Sequence, residues 1–194
     1  MKRVTTPLIV LVLVAAAFAL AGCAQWFQDP AKPANDAIAV ANKHLTAAAS
    51  LETSIQTSAT QLDALPYTKA GANKGLQLTD SLMATLKDEK TELEGAQAAM
   101  DSIAKLDVRD EFKQFARLES TAISTRITLV DTNARLYDAL NQLYAGLKSK
   151  KSPDPRQLLS VIDQVKSELA GLQDQAVQQA KAASDYFTAH KLGG

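Results

Sequence analysis

The sequence predicts an all-α protein, an up-down-up-down antiparallel four-helix bundle with longer third and fourth helices. From residue 36 onward, apolar residues recur at intervals of three and four, which is the period of an amphipathic helix. No stretch in this region alternates in the way that a strand does. Helix-breaking or helix-capping residues interrupt the period at three places, so four helical segments joined by short connections are expected, as in antiparallel bundles.

The first two helices form the first predicted hairpin. The first helix is expected over residues 36–65, and its apolar positions are Ile38, Ala41, Leu45, Ala48, Leu51, Ile55, Ala59 and Leu62. Pro66 and the glycine-containing segment 71–75 are expected to end it and to form a flexible connection. The second helix carries its apolar face on Leu82, Leu86, Leu93, Ala96, Met100 and Ile103.

The third and fourth helices form the second hairpin. Asp107 resembles an N-cap, and the third helix is expected to run from it to about Lys148. Lys148, Lys150 and Lys151 lie at its C-terminal end, where positive charge complements the helix dipole. Ser152-Pro153 is expected to begin the fourth helix as N-cap and N1. Its buried stripe is predicted at Leu158, Ile162, Val165, Leu169, Leu172, Ala176, Ala180, Ala183 and Phe187.

The predicted helix lengths imply a rod about 45–60 Å long, at about 1.5 Å per residue. In an up-down arrangement the N-terminus, the turn at Asp107 and the C-terminus lie at one end. The longer third and fourth helices are then expected to overhang at the other end. That overhang would carry Lys148, Lys150 and Lys151 as a basic tip, which is either a contact surface for a partner or an ordinary solvated turn.

The first 23 residues have a different character from the rest. Met1-Lys2-Arg3 is positively charged, residues 7–20 carry no charge, and the segment ends in Leu20-Ala21-Gly22-Cys23 with the only cysteine of the chain. This is the layout of a secretory signal peptide. About 14 apolar residues are too few to span about 30 Å of hydrocarbon. The last four residues resemble the lipobox of bacterial lipoproteins.

The resemblance to bacterial lipoproteins implies cleavage before Cys23 and attachment of diacylglycerol to its sulfur, which anchors the protein to a membrane. Residues 1–22 are then a signal peptide, 23–35 a lipidated cysteine with a flexible tether, and 36–192 the bundle. Ala24, in place of Asp, favours the outer membrane in a diderm host; in other hosts the outer face of the plasma membrane is expected. The alternative is an ordinary signal peptide that leaves a free cysteine near its end.

Charge and residue types exclude several classes of function. Removing Lys2 and Arg3 with the signal leaves 19 of the 21 basic residues against 21 acidic ones, a formal net charge of −2, so no nucleic-acid partner is expected. The chain has only His44 and His190 as imidazole groups, with no Glu-x-x-His or Cys-x-x-Cys-His motif. Segment 71–75 lacks the Gly-Lys-Ser/Thr order of a phosphate loop. We therefore expect no enzymatic activity, cofactor or metal.

One polar row interrupts the apolar arc of the third helix. Glu119, Arg126 and Asn133 follow one another at seven-residue intervals in the middle of that arc. Counting from the turns brings Glu89 and Glu52 to the height of Arg126, together with Gln175 or Gln179. The resulting cluster of Glu52, Glu89, Glu119, Arg126 and Asn133 has three interpretations: an exposed salt bridge, a buried network that sets helix register, or a pocket for a small anionic ligand.

Two functions follow as expectations. The first is a lipid-anchored, non-enzymatic adaptor, spacer or protein-binding module of the cell envelope, with the membrane bound through Cys23 and an envelope protein as partner. The second is a small-ligand-binding or sensor-type bundle that uses the mid-bundle cluster. If Arg126 is buried against Glu89, then Glu89→Leu should destabilise the fold and a second change, Arg126→Met, should recover much of the loss.

Overall fold

The computed structural model describes residues 31–149 and 155–192. They form four α-helices: α1 Lys32–Asp63, α2 Ala72–Ile103, α3 Asp110–Lys148 and α4 Pro155–Ala189. No strand occurs in these residues, so the predicted all-helical class is confirmed for them. None of the four helices combines the length and the apolar character needed to cross a bilayer.

Several sequence predictions fall outside the described residues. These are the signal segment 1–22, the lipidated Cys23 and most of the expected tether. The same applies to Lys150 and Lys151 of the basic tip and to Ser152-Pro153. Within the described residues, α4 begins at Pro155, two residues after the proline that the sequence indicated as its first position.

Consecutive helices pack against one another. α1 lies on α2, α2 on α3 and α3 on α4; in the described part of the chain α1 and α4 do not pack comparably closely. Lys90 of α2 donates to Asp131 of α3 at 2.8 Å, whereas Asp80, earlier in α2, accepts from Asn141, later in α3. Residue numbers therefore rise along one helix as they fall along its neighbour, which is consistent with an up-down arrangement.

The helices bury residues at seven-residue intervals. α2 buries two such rows, which are Ala72, Thr79, Leu86, Leu93 and Met100, and Gly75, Leu82, Glu89, Ala96 and Ile103. α1 buries Ala34, Ala41, Ala48, Ile55 and Leu62, with Ile38 beside them. This spacing is that of knobs-into-holes packing between nearly aligned helices. Half of the buried residues of α1 are alanines, so α1 covers little large apolar surface.

The first helix begins earlier than the sequence indicates. α1 starts at Lys32, not Asp36, and its first turn contains Pro33 and Ala34, which were expected in the tether. Proline is compatible with this turn because the N–H that it lacks would have no partner within the helix. The second helix also begins early: Gly71 is its N-cap, so residues 72–75 form a helical turn and not a flexible connection.

The expected N-cap of the third helix is wrong. α3 begins at Asp110, and its N-cap position is Arg109 rather than Asp107. The chain first makes tight turns after α2, in which Leu106 N–H donates to the carbonyl of Ile103 at 3.1 Å. These turns delay the helix start by two residues. Asp110 and Glu111 place acidic charge in the first turn, where it complements the helix dipole.

The extra length of α3 lies at the opposite end from the one predicted. Tyr144, near the C-terminal end of α3, packs against Gly75 in the first turn of α2, so α3 projects little beyond α2 there. At the other end Ser120 donates to Asp101 at 2.7 Å, close to the last residue of α2. About two turns of α3 therefore run past the end of α2, beside the connection 104–109.

Candidate functional site

Three glutamates from three helices interact with one arginine in the middle of the bundle. Glu119 interacts with the arginine alone, whereas Glu52 and Glu89 also interact with each other. Glu52 comes from α1, Glu89 from α2, and Glu119 and Arg126 from α3. Helix periodicity places them there, since Glu89 occupies a position in a buried row of α2 that Leu82 and Ala96 also occupy. We call these four side chains the carboxylate cluster.

Arg126 makes one long ion pair within this cluster. Its Nη2 lies 3.7 Å from Oε2 of Glu52, and the two side chains are only 21% and 15% exposed. That separation is beyond a normal hydrogen bond. The other oxygen of Glu52, Oε1, is buried without a hydrogen-bond partner. Arg126, the one cation of the cluster, therefore attracts the Glu52 carboxylate without forming a hydrogen bond to it.

Glu89 is the most buried member of the carboxylate cluster. It is 5% exposed and forms no hydrogen bond or ion pair with any other described residue. Burial, reinforced by the charge of Glu52 and opposed by Arg126, raises the pKa of Glu89 to about 7. Burial also raises the pKa values of Glu52 and Glu119 against the opposing charge of Arg126.

On the α4 side, the hydrogen bond described at the level of Arg126 joins two neutral side chains. Thr125, adjacent to Arg126, donates to Oε1 of Gln179 at 2.6 Å, so Gln179 is the glutamine that reaches this level. Asn133 is half-buried and lies about 10 Å further along α3 than Arg126, at about 1.5 Å per residue. It forms no hydrogen bond or ion pair with a described member of the cluster.

The charges of the cluster determine what it is able to bind. Three carboxyl groups face one guanidinium, so an anion would enter a region of negative potential, and the anionic ligand considered from the sequence is not favoured. Among residues 31–149 and 155–192, no group of three or more His, Cys, Asp or Glu side chains is arranged to hold a metal ion. Burial raises the pKa of all three carboxyl groups, so the ligand that their environment favours is a proton.

The basic tip is described only in part. Lys148 is exposed at the end of α3, and the adjoining Lys150 and Lys151 lie outside the described residues. Near this end Tyr144 is fully buried, and its ring stacks on that of Tyr67 at a centroid distance of 5.3 Å. The Tyr144 hydroxyl is buried without a partner.

Two contacts between helices were not predicted from the sequence. One is the packing of Tyr144 against Gly75. Gly75 lies in a buried row of α2, and a glycine in such a row indicates that a neighbouring helix packs closely there. The other is a half-buried pair in which Nδ1 of His44 lies 2.7 Å from Oε2 of Glu92. The sequence indicated His44 only as a residue on the flank of its helix, and nothing in its spacing singled out Glu92.

Comparison with known proteins identifies no relative. The chain matches no protein-family model, no curated protein and no solved structure. What it does must therefore be inferred from its own residues. Those that bear on function are the lipobox-like segment, the carboxylate cluster and the basic tip.

Proposed function

We propose that this protein is a lipid-anchored helical bundle of the bacterial cell envelope that acts as a non-enzymatic adaptor, spacer or protein-binding module. The observation that carries the proposal is Leu20-Ala21-Gly22-Cys23 at the end of an uncharged segment. α1 begins at Lys32, only nine residues after Cys23. Nine extended residues reach about 30 Å, so a lipid on Cys23 would hold the bundle close to the membrane.

An up-down-up-down antiparallel topology would give this bundle a membrane-proximal end and a distal end. The antiparallel contacts between α2 and α3 support it. The start of α1 and the connection 104–109 would then lie near the lipid, and Lys148 would lie at the distal end. α3 has 39 residues and is about 58 Å long, which sets the reach of the protein from its anchor.

The distal end is the part of the rod best suited to a partner. Lys148, Lys150 and Lys151 would face away from the membrane and offer three positive charges within four residues. Charge complementarity of this kind favours an envelope protein with an acidic surface, because it speeds encounter and fixes orientation. The body of the protein would then act as a spacer of fixed length.

The anchor is tested by replacing the cysteine. In cells fed an alkyne-tagged fatty acid, the wild-type protein should carry the label and sediment with membranes. Cys23→Ser should lose both properties because the acceptor sulfur is gone, whereas Ala24→Ser should keep them. Wild-type protein that is unlabelled and found in the soluble fraction would contradict the proposal.

The partner is tested by photo-crosslinking in the native host. A photoreactive residue at Lys150 should give a discrete adduct with another envelope protein. The same probe at Lys43, exposed on the side of α1, serves as the control and should give none. Absence of an adduct at Lys150 in protein confirmed to be membrane-anchored would refute the role of the tip.

A further inference from the structure

The carboxylate cluster holds more potential negative charge than its surroundings neutralise. If Glu52, Glu89 and Glu119 were all ionised, Arg126 would balance one of three charges in the interior of the bundle. Removing a carboxylate from water is costly unless it is paired and hydrogen-bonded. The orphaned Oε1 of Glu52 and the unpartnered Glu89 show that the cluster does not provide these bonds.

The charged groups that face Glu89 leave it without a cation of its own. From α1 it faces Glu52, and from α3 it faces Arg126, which also interacts with Glu52 and Glu119. The contact described on the α4 side of this level is the neutral Thr125–Gln179 hydrogen bond. The adjacent Lys90 on its own helix is bound to Asp131 at 2.8 Å and so is directed elsewhere.

We infer that the carboxylate cluster is a proton-binding site whose occupancy determines how firmly α1 packs on the bundle. With a proton on the Glu89 carboxyl, Glu52 faces a neutral neighbour and pairs with Arg126. When that proton passes to bulk water, two buried carboxylates repel each other and compete for one guanidinium. This inference does not depend on the lipid anchor or on the identity of a partner.

α1 is the helix that responds to this repulsion. Its only closely packed neighbour in the described chain is α2, and Ala34, Ala41 and Ala48 make up half of its buried residues. Glu52 is also more exposed than Glu89, so a small movement of α1 brings its carboxylate into water. The pKa of Glu89, raised to about 7, supports a change of charge within the ordinary pH range of a cell envelope.

The proton site is tested by urea unfolding of the mature protein between pH 5 and pH 8. A carboxyl whose pKa is higher in the folded state stabilises the fold at low pH, and this effect is lost as pH rises to that pKa. The wild-type unfolding equilibrium constant should therefore increase from pH 5 to pH 7, by up to about tenfold per pH unit, and then level off. Glu89→Gln should remove most of the increase.

The matched control for this test is Glu94→Gln, which removes the same charge from an exposed position on α2. It should retain the wild-type pH dependence. Equal pH dependence in the wild type and Glu89→Gln would overturn the inference. If Glu89→Gln does not fold, the carboxyl ¹³C resonances of the wild type decide: a glutamate titrating near pH 7 supports the site, and titration of all of them below about pH 5.5 refutes it.

The response of α1 is tested by amide hydrogen exchange, corrected for the intrinsic effect of pH. Exchange around Glu52 should become faster at pH 8 than at pH 6, with a smaller change around Leu136 of α3. Glu89→Gln should abolish the difference at α1. Equal protection of α1 at both pH values would refute the proposed control of its packing.

Discussion

Arg126 is the positive charge that favours the ionised form of all three glutamates in the carboxylate cluster. Its pair with Glu52 spans 3.7 Å, and its charge also opposes the burial-induced rise in the pKa values of Glu89 and Glu119. The sequence suggested Glu89→Leu as the diagnostic substitution, on the assumption that Glu89 is the partner of Arg126. Because Arg126 pairs with Glu52 and Glu89 has no partner, replacing the arginine is the sharper test.

Arg126→Met should destabilise the protein by about 3 kcal/mol at pH 8, because it leaves buried carboxylates without a cation. The loss should be smaller at pH 5, where the carboxyl groups take up protons. Arg135→Met is the control on the same helix, since Arg135 forms an exposed pair with Glu168 and should cost at most about 1 kcal/mol. Denaturant unfolding measures both. A loss for Arg126→Met no larger than that for Arg135→Met would contradict the central role of Arg126.

The pH dependence associated with Glu89 has a definite direction and size. Its pKa rises from 4.5 to about 7 on folding, so the folded state binds the proton more tightly than the unfolded state. The resulting stabilisation is complete below about pH 4.5 and is lost as pH rises through 7. At about 1.4 kcal/mol per pKa unit, roughly 3 kcal/mol is involved.

At the scale of helix pairs, glycine permits the close contact between α2 and α3. A Cβ at Gly75 would lie 2.5 Å from the Tyr144 ring, which is fully buried. The ring therefore occupies the space where a side chain would be. Tyr67 stacks on the Tyr144 ring and so links the connection 64–71 to α3. One glycine thus permits α2, α3 and the connection 64–71 to pack closely at this end of the bundle.

Gly75→Ala should destabilise the protein by about 1–3 kcal/mol, because the cost of overpacking exceeds the helix-propensity gain of about 1 kcal/mol. Gly171→Ala provides the control, since no atom lies within 4 Å of a Cβ at that exposed helical position. It should stabilise the protein by up to about 1 kcal/mol. Thermal unfolding distinguishes the two signs; a stabilising Gly75→Ala would show that Tyr144 moves freely.

At the scale of the whole molecule, periodicity predicted the helices well but not their relative alignment. The apolar spacing correctly indicated four helices, and the same spacing placed Glu89 within a buried row of α2. Counting residues from the turns assumed symmetric connections. α3 instead runs about two turns past the end of α2, beside the connection 104–109, so the predicted overhang was placed at the wrong end.

The sequence also could not predict which side chains pair across helices. The pairing of Arg126 with Glu52 and not with Glu89 depends on how far long side chains extend across helices, which periodicity does not report. The early starts of α1 and α2 have a similar cause. Pro33 and Gly71 look like helix breakers in the sequence, yet one is compatible with a first turn and the other serves as an N-cap.

The outer face of α1 has a consequence for how ionic strength would affect association. Between Leu45 and Leu62 the only acidic or basic side chain is Glu52, which points into the bundle. Hydroxyl groups of Thr53, Thr57 and Thr60 on the exposed side donate to carbonyls of α1 itself. Association through this face would change little with added salt, whereas association through the lysines after residue 147 would weaken. Salt dependence alone therefore distinguishes a complex formed through the outer face of α1 from one formed through the basic tip.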